Sequence, residues 1–486
     1  MGNVLGGLQP NEVWNYFEEI CKYPHPSKKE HLLANYIKDW AKQNNFTVKT
    51  DETGNIVVKK QATPGMENKK PVAIQGHIDM VCEKNSDVVF DFDKDPIQPY
   101  VDGDWVKAKG TTLGADNGIG IAMGMAVMTT DGIQHPPMEL LCTLDEETGL
   151  TGAQLLSNDL LDAHILINLD SEEDGAFTIG CAGGINTGGS YKYYADAVPT
   201  DSIAYTIAIK GLRGGHSGIE IHDGRGNAIK LMTRLLYNIP SSVNYRLFSF
   251  NSGSKHNAIP RESFAVVTLP KSQEAEFLKY IANFDAMTKS EYATKEPTLN
   301  TNATVVELPN KVMTLEFQNN LIKSFYAMPH GPSRMSPDID GLVQTSTNFA
   351  IVETKEDEVY VLTSQRSSVE TEKVYMYQTV VCALELGGAK VIVNDGYPAW
   401  QPNINSPILN TAKNVFKGLF GKEPIIEAIH AGLECGLVGE KYPGMDMLSF
   451  GPNLKDVHSP DEKVQISTVQ NCWKLLVEIL KNIPNK

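Results

Sequence analysis

Four stretches constrain what this chain can fold into: "PVAIQGHIDM" (71–80), "PMELLCTLDEETG" (137–149), "AHILINLDSEED" (163–174) and "MDMLSFGPN" (445–453). Each contains an apolar run of strand length, and the first three pass directly into acids or a histidine. A strand with one face in water alternates apolar and polar residues, whereas a near-continuous run must be covered on both faces. Such runs interleaved with helix-like segments predict an α/β fold in which a parallel or mixed sheet is flanked by helices. "NEVWNYFEEICKY" and "KKEHLLANYIKDWAKQNN" supply apolar residues at helical spacing, and "NGIGIAMGMAVMTTDG" reads as a helix rich in small residues.

One ordinary core does not accommodate 486 residues, so two or three domains are expected. Near residue 185 the texture changes: "SIAYTIAIKGL" and "SFAVVTLP" read as half-buried antiparallel strands. From "GYPAWQPNINSP" onward the chain returns to helices and one buried strand. This order predicts a domain formed by residues 1–186 and 394–486, carrying a mostly parallel mixed sheet. An α+β domain with antiparallel sheet, residues 187–393, is inserted into it.

Charge and cysteine usage narrow the class of function. A net charge of -16 argues against nucleic-acid binding, which needs a basic face to displace counterions from phosphates. The start "MGNVLGGLQPNEVWNYFEE" lacks the basic and apolar regions of a signal peptide, and no apolar run reaches membrane-spanning length. A cytoplasmic protein without a membrane partner is expected. The seven cysteines are odd in number, dispersed and free of C-x-x-C pairs, which suits reduced thiols rather than a disulfide framework.

In open α/β sheets, ligands bind beyond the carboxyl ends of the strands. His77, Asp79, Glu146, Glu147 and Asp170 would converge there, joined by Asp116 of "GTTLGADNGIG" and His458 of "LSFGPNLKDVHSPDE". His77 and Asp79 are two apart and share a face on a regular strand, so the carboxylate can orient the imidazole. The plainer alternative is a hydrogen-bonded structural histidine. Glu146 and Glu147 would face opposite ways on a strand, so joint action requires the chain to leave the strand there, as Gly149 suggests. One would then ligate a metal and the other would be free to take a proton from water. Each remaining candidate has a plain alternative: a helix cap for Asp116, a solvated acidic loop for Asp170, a surface turn beside Pro460 and Asp461 for His458.

Read in order, "YPHPS", "GHIDMV", "DPIQPY", "GTTLGADNGIG", "INLDSEE", "GCAGGI", "KGLRGGHSG", "NAIPRE", "GYPAWQP", "HAGLECG" and "GPNLKDVHSPDE" give the chain an end-to-end resemblance to a family. It resembles the dinuclear zinc metallopeptidases that include carnosinases, peptidase T and the aminoacylases. The resemblance implies two zinc ions per subunit, replaceable by ions such as Co2+ or Mn2+. His77, Asp116 and Asp170 would hold one, and Asp116, Glu147 and His458 the other, with Asp116 bridging. Glu146 would be the general base and Asp79 would orient His77. The inserted domain would act as a lid and dimerisation domain. From it, His216 would stabilise the oxyanion, in its own or the partner subunit's site, while Asn257 and Arg366 would bind substrate. Gly432 and Glu434 would line the pocket.

Three ligating carboxylates against two divalent ions leave a surplus near one positive charge, which favours hydroxide over water between the metals. The implied activity is hydrolysis of unblocked dipeptides, including Xaa-His dipeptides, by a homodimer whose partners are small peptides. An N-acyl amino acid deacylase or a tripeptidase would use the same metals. A non-catalytic metal-binding or interaction protein would need only the ligands, so the intact Glu146 argues for an enzyme.

Overall fold

The computed structural model describes residues 4–486; Met1–Asn3, which open the N-terminal stretch read above, lie outside the described residues. The chain divides into two compact units. The first takes the residues up to Cys181 with Pro402–Ala428 and Leu433–Lys486, and the second takes Ala182–Gln401 with Ile429–Gly432.

The first unit is built on an eight-stranded sheet. In spatial order its strands are Thr47–Thr50, Ile56–Lys60, Met138–Thr143, Val72–His77, Ile165–Asn168, Asp446–Ser449, Ala176–Cys181 and Ile425–Ile429. The sheet is parallel through its centre, from Met138–Thr143 to Asp446–Ser449; Thr47–Thr50, Ile56–Lys60 and Met138–Thr143 pair antiparallel on one side of that core, and Ala176–Cys181 is antiparallel to Asp446–Ser449 on the other. Every residue of Val72–His77, Met138–Thr143 and Ile165–Asn168 is buried, as apolar runs covered on both faces require. Register aligns their ends: His77 lies opposite Thr143, Gln75 opposite Asn168, and Asn168 opposite Ser449.

The helix Ala115–Thr129 packs on Val72–His77 and on the helix Asn11–Ile20. Its small residues permit that approach, since a Cβ at Gly118 would lie 3.3 Å from the Phe17 ring. A small antiparallel sheet pairs Lys463–Gln465 with Trp105–Ala108 and with Leu454–Lys455. It ties the segment around His458 to the chain that leads into Asp116.

The second unit contains an antiparallel sheet running Asn300–Val306, Ser202–Lys210, Ser263–Pro270, Arg246–Ser252, Val343–Thr354, Glu358–Ser367, Gly183–Lys192 and Lys390–Val393, with Gly331–Met335 paired to Val343–Thr354. The helices Ala228–Tyr237, Glu274–Glu291, Leu315–Ala327 and Glu370–Leu386 belong to the same unit, and Phe250, Phe277, Phe325 and Phe349 lie in its core. The fold class therefore holds: a mixed sheet with flanking helices in one unit, α+β with an antiparallel sheet in the other. The seven cysteines are free, and among the described residues no helix is long and apolar enough to cross a membrane.

Candidate metal centre

The aligned carboxyl ends of the parallel strands bring the seven candidates of the first unit together. His77 closes its strand at 1 % exposure, with Nε2 3.1 Å from Asp116 Oδ1 and 3.4 Å from Asp170 Oδ1. Across the site, His458 Nε2 lies 3.2 Å from Asp116 Oδ2 and 3.0 Å from Glu147 Oε2. Ligand atoms of His77, Asp116 and Asp170 lie within 4.8 Å of one another, as do those of Asp116, Glu147 and His458. Asp116 belongs to both groups.

The plain alternatives fare unevenly. Asp116 does not cap its helix: no side-chain cap bond is made, its φ/ψ of -83°/104° is non-helical, and its two oxygens face the two histidines. Asp170 is largely buried rather than solvated. His458 does sit on a half-exposed turn, at 51 % side-chain exposure, yet its ring is directed at Asp116 and Glu147.

Asp79 lies just past the end of the strand, two residues beyond His77. Its carboxylate sits 3.3 Å from His77 Nδ1 and accepts the Ser27 hydroxyl at 2.8 Å. It also accepts the Glu146 N–H at 3.0 Å and the Glu147 N–H at 3.1 Å. One buried acid thus lies against the histidine ring and fastens the start of the turn that bears both glutamates. That turn is a short helix, Glu146–Gly149, entered through Asp145 at φ 49°. Asp145 accepts the hydroxyls of Thr148 and Thr151, and its N–H donates to Glu30. The neighbouring trio Glu30, Asp79 and Asp145 therefore has its oxygens engaged by protein donors.

The metal-type groups differ on this point. Glu147 Oε1 and Asp170 Oδ1 are buried without a hydrogen-bond partner. Burying a carboxylate oxygen unpaired is costly, and a cation removes the cost. Left to themselves the side chains compete for protons instead. Burial opposes charging His77, but Asp170, Asp116 and Asp79 override it and raise its pKa well above the ordinary value. Asp116 and Glu147 push His458 up to about 11, while burial pushes Asp170 up to about 7. Burial also pushes Glu146 up to about 9, with Asp170, Glu434 and Glu147 adding to it against His77. Two imidazoles and a carboxylate set with orphaned oxygens suit a borderline divalent cation such as zinc.

Glu434, also in the first unit, accepts Gln75 Nε2 at 2.6 Å and the Thr143 hydroxyl at 2.8 Å, and its Oε1 is buried and unpartnered. The second unit collects the other candidates. His216 Nδ1 accepts the Gly218 and Ile219 N–H groups at 3.2 Å each, which leaves Nε2 to carry the proton. Arg366 is buried, donates from Nη1 to the Tyr397 hydroxyl at 2.8 Å, and has an unpartnered Nε. Gly432 leaves room for the Tyr397 ring, which a Cβ there would meet at 2.8 Å. Asn257 lies in the loop before the strand Ala258–Ile259, where its carbonyl accepts the Ser217 N–H at 2.9 Å.

His430, within "HAGLECG", carries no signal in the sequence that marks it for the site. Its Nε2 is 2.7 Å from the Ser346 hydroxyl and its Nδ1 is buried without a partner. Burial, with Arg366, His222 and His216, pushes it down to about 3. Glu462, within "GPNLKDVHSPDE", carries no such signal either.

The model of the peptidase family M20/M25/M40 matches residues 73–482. The chain belongs to that family. It is 44% identical over 483 residues to the cytosol non-specific dipeptidase of Escherichia coli, covering 99% of both chains. The crystal structure of aminoacylhistidine dipeptidase from Vibrio alginolyticus superposes with a TM-score of 0.95 at 45% identity, over 99% of this chain and 98% of that one. Aminopeptidase PepT from Bacillus cereus, at 16% identity, a TM-score of 0.57 and coverage of 98% and 99%, shares the fold.

Proposed function

We propose that this chain is a metal-dependent dipeptidase that cleaves unblocked dipeptides, including those ending in histidine. The observation that carries the reading is the pair of ligand groups sharing Asp116, with Glu146 beside them and bonded to neither histidine. Family membership and the two dipeptidase relatives support the same substrate class. His77, Asp116 and Asp170 would hold one zinc ion, and Asp116, Glu147 and His458 a second. When bound, the ions would polarise the scissile carbonyl and lower the pKa of water.

The chain's own groups do the rest. Glu146 takes a proton from the attacking water and returns it to the leaving amine, so it must stay off the metals. Asp79 keeps His77 in register and fixes the backbone at Glu146. Glu434, buried with one free oxygen, suits the α-ammonium of a substrate with a free N-terminus. In the second unit, His216 offers an Nε2–H to a developing oxyanion, and Arg366 offers a guanidinium to the substrate carboxylate, with Asn257 and Gly432 completing the substrate contacts. We assign the working protein to the cytoplasm, as a homodimer.

The test is a panel of Ala-His, β-Ala-His, other dipeptides, tripeptides and N-acetyl amino acids, run with and without a chelator. Unblocked dipeptides should be cleaved, stripping should abolish turnover, and zinc should restore it. Hydrolysis that survives complete removal of metal, or a preference for the acetylated compounds, would reject the proposal.

A further inference from the structure

Glu462 is a buried carboxylate, 2 % exposed, whose two oxygens are taken up by four consecutive backbone donors. Oε2 accepts the N–H of Leu113 at 2.7 Å and of Gly114 at 3.0 Å; Oε1 accepts that of Ala115 at 2.8 Å and of Asp116 at 3.3 Å. Gly114 has φ +69°, a left-handed step that turns successive N–H groups towards one point and makes an anion-binding concavity. The last donor of that concavity belongs to the residue shared by both ligand groups.

The other end of Glu462 is fixed just as firmly. It stands four residues after His458 in a turn closed by its own N–H to the Ser459 carbonyl at 3.0 Å and by the Ser459 hydroxyl to the Asp456 carbonyl at 2.6 Å. The strand that follows, Lys463–Gln465, pairs with Trp105–Ala108, which leads into residues 113–116. One side chain therefore locks the loop that ends at Asp116 to the turn that carries His458.

We propose that Glu462 is a positioning residue that sets the separation of Asp116 and His458, and through it the affinity for the ion these two share with Glu147. The proposal rests on the metal-centre reading above and deepens it. Only a carboxylate can do this, because each oxygen serves two donors. An amide of the same shape would turn an NH2 group towards two N–H groups, leaving them buried and unpaired. Distortion then falls on Asp116, whose carboxylate lies between His77 and His458.

The experiment uses stripped wild-type chain and Glu462→Gln, titrated with Zn2+ against a competing chelator and with Co2+ followed by its visible absorption. Wild type should take up two ions. Glu462→Gln should hold one of them about ten- to hundredfold more weakly, with altered Co2+ bands, as expected when a group that orients a ligand is lost. Melting of both stripped proteins is measured alongside. A purely structural carboxylate would lower the melting temperature and leave both affinities and the Co2+ spectrum unchanged, and that result overturns the proposal. Glu462→Asp keeps the charge but withdraws it by a methylene; should the amide variant not fold, weaker binding here supports the proposal and wild-type binding overturns it. Wild type that binds neither ion would sink the metal-centre reading and this proposal together. Two ions bound equally tightly by wild type and variants would sink this proposal alone.

Discussion

Consecutive side chains diverge by about 180° on a strand but by about 100° on a helix. Because the chain leaves its strand at Thr143 and enters the turn Glu146–Gly149, Glu147 reaches His458 at 3.0 Å, while Glu146, whose ligand atom lies within 4.8 Å of those of His77 and Glu147, forms an ion pair with neither histidine. Identical side chains thereby acquire different chemistry. Glu146→Gln should retain both metals, since it removes no proposed ligand, yet lower kcat by roughly a hundred- to ten-thousandfold, the usual contribution of a general base. Metal analysis beside steady-state kinetics checks this, and loss of a metal ion would mean that the roles of the two glutamates are exchanged. The convergence of six of the seven candidate side chains was legible because each lies at or just past a strand end or at a helix start, where type and position can be read from the order of residues, whereas His458 lies on a turn and stood out only as part of its motif. Glu462 was not legible. Its donors lie 346 to 349 residues away, and a carboxylate bound by backbone N–H groups leaves no pattern in the side chains around it.

The buried parallel strands were readable as elements because burial on both faces leaves a run of apolar residues that nothing else of that length explains. Their pairing was not, because neighbours in the sheet are brought together by long-range contacts that a local run does not encode: Asp446–Ser449 lies beside Ile165–Asn168. The turn after Met138–Thr143 shows how such an element is held. Asn55 Oδ1 accepts the Leu144 N–H at 3.2 Å, Asn55 Nδ2 donates to the Gly152 carbonyl at 2.9 Å, and the Gly152 N–H donates to the Leu144 carbonyl at 2.9 Å. A Cβ on Gly152 would lie 2.6 Å from the Leu144 nitrogen and from Asn55 Oδ1, so backbone must move. Gly152→Ala should therefore cost about 1–3 kcal/mol in urea unfolding, as overpacking does, and lower turnover by displacing Glu146 and Glu147. A stability within a few tenths of a kcal/mol of wild type would show that the turn absorbs the methyl group.

Two compact units need not unfold as one, and their ionisable groups load them differently. In the first, ions bound to the folded site alone would stabilise it by mass action, so a chelator should lower its melting transition. In the second, His430 is pushed down from 6.5 to about 3 by burial and by Arg366, His222 and His216. The unfolded chain then takes up this proton before the folded one does. Stability is present above pH 6.5 and is lost as pH falls from there towards about 3, at up to about 1.4 kcal/mol per pH unit for one such group. Calorimetry between pH 7.5 and 4.5 should show an acid-sensitive transition that zinc does not restore. His430→Gln, which cannot take up the proton in either state, should flatten the pH slope of that transition while leaving its response to chelator unchanged. An unaltered slope would mean that His430 charges within the folded unit, and that the Ser346 contact is kept by the imidazolium.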